Sequence, residues 1–419
     1  MENLIQLMMQ AIEEGDLQAV NQLLERVLTD ATPDEQYGIA EMFMQYGFYE
    51  EAAQTLEHIQ FIFPEEAQIS IDRATVLMEL SKEDEALDLL MSVPADAPEY
   101  PQALLVLADY YQMQGLYEVA EKHINEALEL LPTEPLLQFA KAELLFETGR
   151  FSESIRIYEE LYELDKAFAG ISLDERLAEV YRAGAAYEQA LEHYMRALED
   201  EVKPDVLFGS AYAAFQIQNY ELAIKQLEDL KELDPDYFSA YLLLAESYAM
   251  LEDNKRALAA IKEGLIRDEF DKTLYLFAGK MALKNNDAEE AVRYLSEAIA
   301  LDPEYMEAML VLMSIYSKEE RYEDVIELYE HVSSQEFDWT ALYPFAAEAY
   351  DKEENFEKAY GLYKEALPDF DEDVSFLQRY CYFLIEDGKQ DEAKVIAEKL
   401  VALEPEEQQW HDLLARFEA

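Results

Sequence analysis

Residues 115–120 read Gly-Leu-Tyr-Glu-Val-Ala, and this stretch decides the fold because its pattern returns along the whole chain. A turn residue, an aromatic residue and a final small residue come back at residues 47–52 and, with serine in the last place, at 149–154. Self-similarity at a fixed period is the signature of a repeat protein. Twelve such final residues, which we call anchors, lie 32 to 36 residues apart: Val20, Ala52, Ala86, Ala120, Ser154, Ala190, Ala223, Ala257, Ala291, Val325, Ala359 and Ala393.

Each repeat divides into two helices, as the fourth one shows. Ala108 and Tyr111 precede the anchor by twelve and nine residues, and this spacing of three places both on one face of a first helix. Ile124 and Ala127 follow the anchor by four and seven residues, which is one stripe of a second helix. Pro132 then ends the second helix, because proline lacks the N–H that a helix interior needs, and can open the next helix. The pattern predicts an all-α chain.

The order of these residues resembles the tetratricopeptide repeat (TPR), and the resemblance covers essentially the whole chain. The tryptophan often found early in the first helix is replaced here by Tyr, Leu, Phe or Ile. The resemblance implies an α-solenoid superhelix of about twelve helix–turn–helix units, in which stacking buries a continuous core. Residues 406–419 fit a C-terminal capping helix, since four large apolar residues fall at helical spacing: Trp410, Leu413, Leu414 and Phe417.

The repeat spacing is irregular at one place, which suggests how the chain is divided. The spacing of 36 between Ser154 and Ala190 puts extra residues near 165–174. We therefore predict an acidic N-terminal array of about five units over residues 1–168, a C-terminal array of about seven over 169–405, and the cap over 406–419. The insertion is either a longer surface loop or a flexible joint between two superhelical halves.

The chain is extremely acidic. Its 92 acidic and 32 basic residues give a formal net charge of −60, which repels nucleic acid and anionic membrane surfaces. The excess either keeps a long array soluble or also selects basic partners. Residues 1–100 hold 22 acids and three bases, whereas residues 201–300 hold 19 acids and 11 bases. Basic partners should therefore prefer the N-terminal third.

Residues typical of chemistry are scarce. The five histidines are scattered, and no metal-binding, phosphate-binding or nucleophile motif is present. The single cysteine, Cys381, falls at a small-residue packing position, so we expect a buried thiol and no disulfide, which suits a reducing compartment. We expect no enzyme activity, no cofactor and no metal. Without a leader or an apolar run of about 18 residues, we expect a soluble cytoplasmic protein.

The family's architecture implies that the first helices line a concave groove through positions 2, 5, 9 and 12 of each unit, with the anchor at position 20. Here these positions mix apolar side chains with carboxylates, which points to a partner segment carrying Lys or Arg plus apolar anchors. The alternative is that several of them merely pack on the next unit. The Lys and Asn clamp that some members use for a C-terminal carboxylate is not in register. The candidate residues are Tyr37, Glu41, Met44, Ile71, Met78, Asp109, Phe139, Glu143, Phe146, Glu175, Glu179, Phe208, Tyr212, Phe215 and Glu246.

The first helix is apolar around most of its circumference, although terminal repeats normally carry a polar outer face. We therefore predict an association edge, used for self-association or for a docked partner, at Ile5, Met8, Met9 and Ile12. The alternative is that this exposure is simply tolerated.

A long patterned surface without a catalytic set favours a non-catalytic scaffold or adaptor that binds a protein partner. The alternative is a ligand- or peptide-gated regulator, in which a bound peptide or metabolite reshapes the superhelix. A separate output domain would favour that alternative, and the sequence shows none.

Overall fold

The computed structural model describes residues 4–168, 170–334 and 339–417. Residues 1–3, 169, 335–338 and 418–419, which fall within the predicted arrays, insertion and cap, lie outside the described residues. The described chain forms two compact units, Met1–Gly209 and Ser210–Ala419. It is helical apart from one pair of two-residue strands and its turns and loops. The predicted fold class, an all-α repeat solenoid with a capping helix, is therefore confirmed.

The N-terminal unit is a run of antiparallel helix pairs, in which each helix packs on its pair partner and on the next pair. The first helices have odd numbers and the second helices even numbers. The helices are α1 (Leu4–Glu13), α2 (Leu17–Asp30), α3 (Pro33–Gln45), α4 (Tyr49–Ile62), α5 (Ala67–Glu79), α6 (Glu83–Ser92), α7 (Tyr100–Met113), α8 (Tyr117–Leu130), α9 (Pro135–Glu147), α10 (Phe151–Tyr162), α11 (Leu173–Ala183) and α12 (Tyr187–Asp200).

The C-terminal unit repeats the arrangement and begins inside α13 (Pro204–Gln216). A short 3₁₀ turn, Thr340–Leu342, leads into α21. The other helices are α14 (Tyr220–Leu233), α15 (Ser239–Met250), α16 (Asn254–Arg267), α17 (Lys272–Lys284), α18 (Ala288–Leu301), α19 (Met306–Lys318), α20 (Tyr322–Ser334), α21 (Tyr343–Lys352), α22 (Phe356–Ala366), α23 (Val374–Glu386), α24 (Gln390–Leu403) and α25 (Gln408–Phe417).

The anchors explain how the helices of a pair approach each other. All twelve are buried, and most have no exposed surface. At Ser154 the hydroxyl donates to the carbonyl oxygen of Ala142 at 2.8 Å, so the polar anchor is satisfied inside the core. Cys381, which faces the anchor Ala393, is buried as predicted, and burial raises the pKa of its thiol to about 11. A thiol with that pKa stays protonated and unreactive near neutral pH.

Local signals fix the helix ends. At the start of α3, the Thr32 side chain accepts from the Glu35 amide while the Glu35 carboxylate accepts from the Thr32 amide at 2.9 Å, and Pro33 occupies the first turn. The turn inside each repeat needs a residue with positive φ, which glycine adopts without strain. Gly115 fills this place with φ of 71°. Ala185 fills the equivalent place with φ of 58°, so the turn geometry persists without glycine.

The insertion at 165–174 contacts the neighbouring repeats through a few side chains, while most of its described residues are exposed. β1 (Ala167–Phe168) pairs antiparallel with β2 (Ile171–Ser172). Phe168 stacks on Phe139 with ring centroids 5.2 Å apart. The buried Asp174 carboxylate lies 2.7 Å from the ring nitrogen of His193 and accepts from the Tyr162 hydroxyl at 3.1 Å. Both the predicted division at residue 168 and the joint there stay predictions.

The capping helix completes the C-terminal core. Trp410 on α25 is 1% exposed, and its indole N–H donates to the Glu404 carboxylate at 3.1 Å. Leu413, Leu414 and Phe417 pack against the same core, as their spacing predicted.

Candidate functional site

The first helices of the N-terminal unit lie side by side, since α7 contacts both α5 and α9. Residues at equivalent positions therefore form a surface, which we call the first-helix face and define by positions 5, 9 and 12 of the first helices. Most of its predicted members are half-buried, and two acids are exposed. The half-buried ones in this unit are Tyr37, Met44, Met78, Phe139, Glu143, Phe146, Glu175, Glu179 and Phe208, and the exposed ones are Glu41 and Asp109.

Ile71 is a correction to the predicted surface. Its side chain is 1% exposed and belongs to the core formed with Ala74 and Leu77 of its own helix and Ala103 and Leu107 of α7. Because α5 and α7 pack closely here, position 5 of this repeat turns into the core. Ile71 therefore cannot contact a partner.

Two aromatic members of the face are engaged by their own chain. Phe139 lies edge-on to Tyr158, with centroids 5.7 Å apart, and also stacks on Phe168. The Arg176 guanidinium lies over the Phe146 ring, 5.6 Å from its centroid. Much of the surface of Phe139 and Phe146 that was predicted to bind a partner is therefore in contact with side chains of the same unit.

Glu143 is neutralised internally. The Arg176 guanidinium of the next first helix binds it through both carboxylate oxygens, with Nε donating to Oε1 at 2.8 Å. The hydroxyl of the fully buried Tyr158 donates to the same carboxylate. Burial and the neighbouring carboxylate raise the pKa of Tyr158, so this hydroxyl stays protonated as a donor. Glu143 and Arg176 therefore form a structural ion pair between repeats.

Glu179 and Glu175 are neutralised in the same way. Arg182 donates to Glu179 at 2.5 Å, and the buried Tyr194 hydroxyl also donates to that carboxylate. The Lys203 ammonium donates to Glu175 at 2.7 Å. Three of the carboxylates expected to attract a basic partner are therefore already paired within the chain.

Asp109 is in the opposite state. Its side chain is exposed at position 9 of α7, and no described residue forms an ion pair or a hydrogen bond with it. Partial desolvation raises the pKa of this carboxyl to about 6, with no counter-charge to oppose the shift. Asp109 is thus an accessible carboxylate that would gain from a cation.

The C-terminal unit contains the remaining predicted members. Tyr212 and Phe215 are half-buried, and Phe215 lies edge-on to Tyr220 with centroids 5.4 Å apart. Glu246 is half-buried at position 9 of α15, and burial raises its pKa. No ion pair or hydrogen bond reaches its carboxylate from the described part of this unit. Like Asp109, Glu246 therefore has a carboxylate without a counter-charge.

Sequence reasoning missed the internal bases that distinguish the paired carboxylates from the unpaired ones. The paired carboxylates are Glu143, Glu175 and Glu179, and the unpaired ones are Asp109 and Glu246. Arg176 lies 33 residues after Glu143, and Lys203 lies 28 residues after Glu175. A base about one repeat period after an acid is the signal that would have found both pairs. Asp109 has Lys141 at a similar distance, but that ammonium donates to Asn125 at 2.8 Å. A base one repeat after an acid therefore indicates an ion pair only when that base has no other acceptor.

Family comparisons agree with the repeats. The model described as YpiA-like, tetratricopeptide repeats, matches residues 112–166, and its C-terminal counterpart matches residues 342–407. General TPR models match 71–135, 175–237, 208–272 and 282–348. The chain is 33% identical over 423 residues to TPR repeat-containing protein YpiA of Bacillus subtilis (strain 168), spanning 100% of this chain and 99% of that protein. The chain belongs to the YpiA-like TPR family.

Other similarities are more distant. DnaJ protein P58IPK homolog B of Oryza sativa subsp. japonica is 27% identical over 293 residues, which is 61% of this chain and 61% of that protein. The C-terminal part of a TPR protein from Cytophaga hutchinsonii aligns with a TM-score of 0.46 and 14% identity over 66% of this chain and 99% of that one. TPR proteins generally mediate protein–protein interactions and are typically non-enzymatic.

For this TPR protein, the predicted N-terminal association edge is mostly core. Met8 has no exposed surface and Ile12 is 7% exposed, because α2 and α3 cover them. Ile5 packs partly against the same core. Met9, at 43% exposure, is the one exposed member of the predicted edge, and Ile5 is half-buried. The edge was wrong for Met8 and Ile12, since a helix that looks apolar all round still turns one side to its neighbours.

The described residues also bear on metal binding and on membranes. Within the described ranges, His, Cys, Asp and Glu side chains form no group of three or more that could hold a metal ion. None of the helices in the described part of this TPR chain combines the length and apolar character needed to cross a bilayer.

Proposed function

We propose that this protein is a non-catalytic cytoplasmic scaffold or adaptor that binds a partner protein through the first-helix face. The partner segment carries Lys or Arg together with apolar anchor residues. The unpaired, accessible carboxylate of Asp109 is the observation that supports this proposal most strongly.

Desolvation makes an unpaired carboxylate costly. A carboxylate without a counter-charge in a partly desolvated place costs folding free energy that an internal base would remove. Its neighbours in the register, Glu143 and Glu179, have such bases, whereas Asp109 does not. A partner's Lys or Arg would supply the missing charge and form a charge-assisted hydrogen bond.

The surroundings favour a basic segment with apolar residues. Met78 on α5 is half-buried, and Leu105 and Gln112 are half-buried on the same helix as Asp109. The strong negative charge of residues 1–100 would also speed the association of a basic partner.

Site-specific photo-crosslinking in the source organism tests the proposal. Thr75, exposed at position 9 of α5, is replaced by a photoreactive amino acid, and Glu118, exposed on the second helix α8, serves as the matched control site. We expect one protein to be captured through residue 75 and not through residue 118, with the crosslink on a basic segment. Equal capture at both sites, or a crosslink to an acidic segment, would contradict the proposal.

A further inference from the structure

A preformed cavity lies in the N-terminal unit, where the end of α4 meets the beginnings of α3 and α5. Its volume is about 370 Å³, which is at the small end of ligand pockets and large enough for one bulky side chain. Its apolar lining comes mainly from Tyr37, Ile59, Phe63 and Ile69. Tyr37 also belongs to the first-helix face, so the cavity and that face share one residue.

The end of α4 leaves large apolar side chains in solvent beside this cavity. Phe61 is 87% exposed, the highest value among the large apolar side chains of the described residues. Ile62 and Phe63 are 45% and 44% exposed, and Pro64 follows them. Adjacent exposed apolar residues next to a cavity are typical of a protein interaction site.

The cavity wall is held in place by hydrogen bonds between helices. The Tyr37 hydroxyl on α3 donates to the Asp72 carboxylate on α5 at 2.7 Å. The Gln68 amide donates to the other oxygen of the same carboxylate at 2.9 Å. Because this network joins the two repeats, it holds this part of the cavity wall in place before a side chain enters.

The charge around the cavity is negative. Asp34 and Glu66 both line it, and no described residue forms an ion pair with either carboxylate. The arginine nearest in sequence to Glu66, Arg73, is engaged by Glu57 at 2.7 Å. A second copy of this chain, with a net charge of −60, would be repelled, as would nucleic acid or an anionic lipid surface. The complementary occupant is a basic protein segment.

We infer that this cavity is the apolar anchor site for the partner segment. It takes one bulky apolar side chain, while Lys or Arg residues flanking that side chain pair with Asp34 and Glu66. This inference rests on the proposed function and adds the end of α4 to the first-helix face.

Labelled nonapeptides test it by fluorescence anisotropy with the full chain. The probe has a central phenylalanine flanked by two lysines on each side; one comparator has a central glycine and the other has glutamates in place of the lysines. We expect the probe to bind about tenfold more tightly than either comparator. Phe63→Ala, and separately Asp34→Asn with Glu66→Gln, should each weaken the probe by about tenfold. Phe270→Ala, which removes a phenylalanine that is 75% exposed in the C-terminal unit, should have no effect.

A photoreactive phenylalanine analogue at the centre of the probe locates it. Crosslinks to residues 33–69, with unchanged circular dichroism melting of the variants, would support the anchor site. Equal binding of the phenylalanine and glycine probes, or no saturable binding, would overturn it. Crosslinks confined to α7 and α9, unaffected by Phe63→Ala, would also overturn it while leaving the proposed function standing. The proposed function fails separately, if residue 75 captures no basic partner in cells.

Discussion

Asp109 and Glu143 occupy the ninth position of adjacent first helices, yet the two carboxylates are in opposite states. Glu143 is held by Arg176 and by the hydroxyl of Tyr158, whereas Asp109 has no partner among the described residues and a pKa raised to about 6. An acid at this position is therefore either held by a base of its own chain, an acid–base pair that we call a clasp, or a free charge. Only the free charge can be offered to a partner without breaking the fold.

The largest expected effect comes from breaking the clasp. Arg176→Ala leaves the half-buried Glu143 with one hydroxyl donor and removes the guanidinium from the Phe146 ring. We expect a loss of about 1–3 kcal/mol in the free energy of unfolding, between the values for exposed and buried ion pairs. Urea denaturation followed by circular dichroism measures it.

The control for that measurement is Arg156→Ala. The Arg156 side chain is 73% exposed and lies 4.0 Å from Glu160, so its loss should change stability by less than about 0.5 kcal/mol. Equal effects of the two substitutions would mean that Glu143 is not a structural clasp.

A smaller effect is expected at the next clasp. The Lys203 side chain is 42% exposed in its pair with Glu175, and solvent screens the attraction. Lys203→Ala should therefore lower the free energy of unfolding by about 0.5–1 kcal/mol. A loss as large as that of Arg176→Ala would show that the contribution of these ion pairs to stability does not depend on their burial.

The smallest effect has the opposite sign. The pKa of Asp109 is higher in the folded chain than the usual 3.8, so the folded state binds a proton more readily than the unfolded state, and the ionised carboxylate is destabilising near neutral pH. Asp109→Asn should stabilise the protein at about pH 7, by less than about 1 kcal/mol because solvent screens an exposed group. The gain should shrink as the pH falls from about 6 towards 4. Thermal melts at both ends of this range measure it, and a destabilised variant would contradict the unpaired state.

The repeat pattern was sufficient to predict the fold. Anchors such as Ala120 recur at a period typical of stacked helix pairs, and the spacing from Trp410 to Phe417 predicted the cap because burial follows helical periodicity. Neither prediction requires knowledge of the distance between neighbouring repeats.

The candidate surface depended on that distance and was predicted less well. Ile71 and Phe139 hold the same position in their repeats, but close packing of α5 on α7 buries Ile71 while Phe139 stays half-buried. The pairing of Glu143 with Arg176 likewise depends on how one first helix is set against the next. The cavity at Phe63 forms where two repeats meet, which no single repeat motif describes.

We propose that Asp109 is the free charge that receives a partner's base. Calorimetric titration of the captured partner segment into the wild type and Asp109→Asn, at about pH 7 and about pH 5, tests it most directly. We expect about tenfold weaker binding by the variant at the higher pH, and wild-type binding that weakens at the lower pH while binding by the variant changes little. Equal dissociation constants for the two proteins at about pH 7 would contradict it.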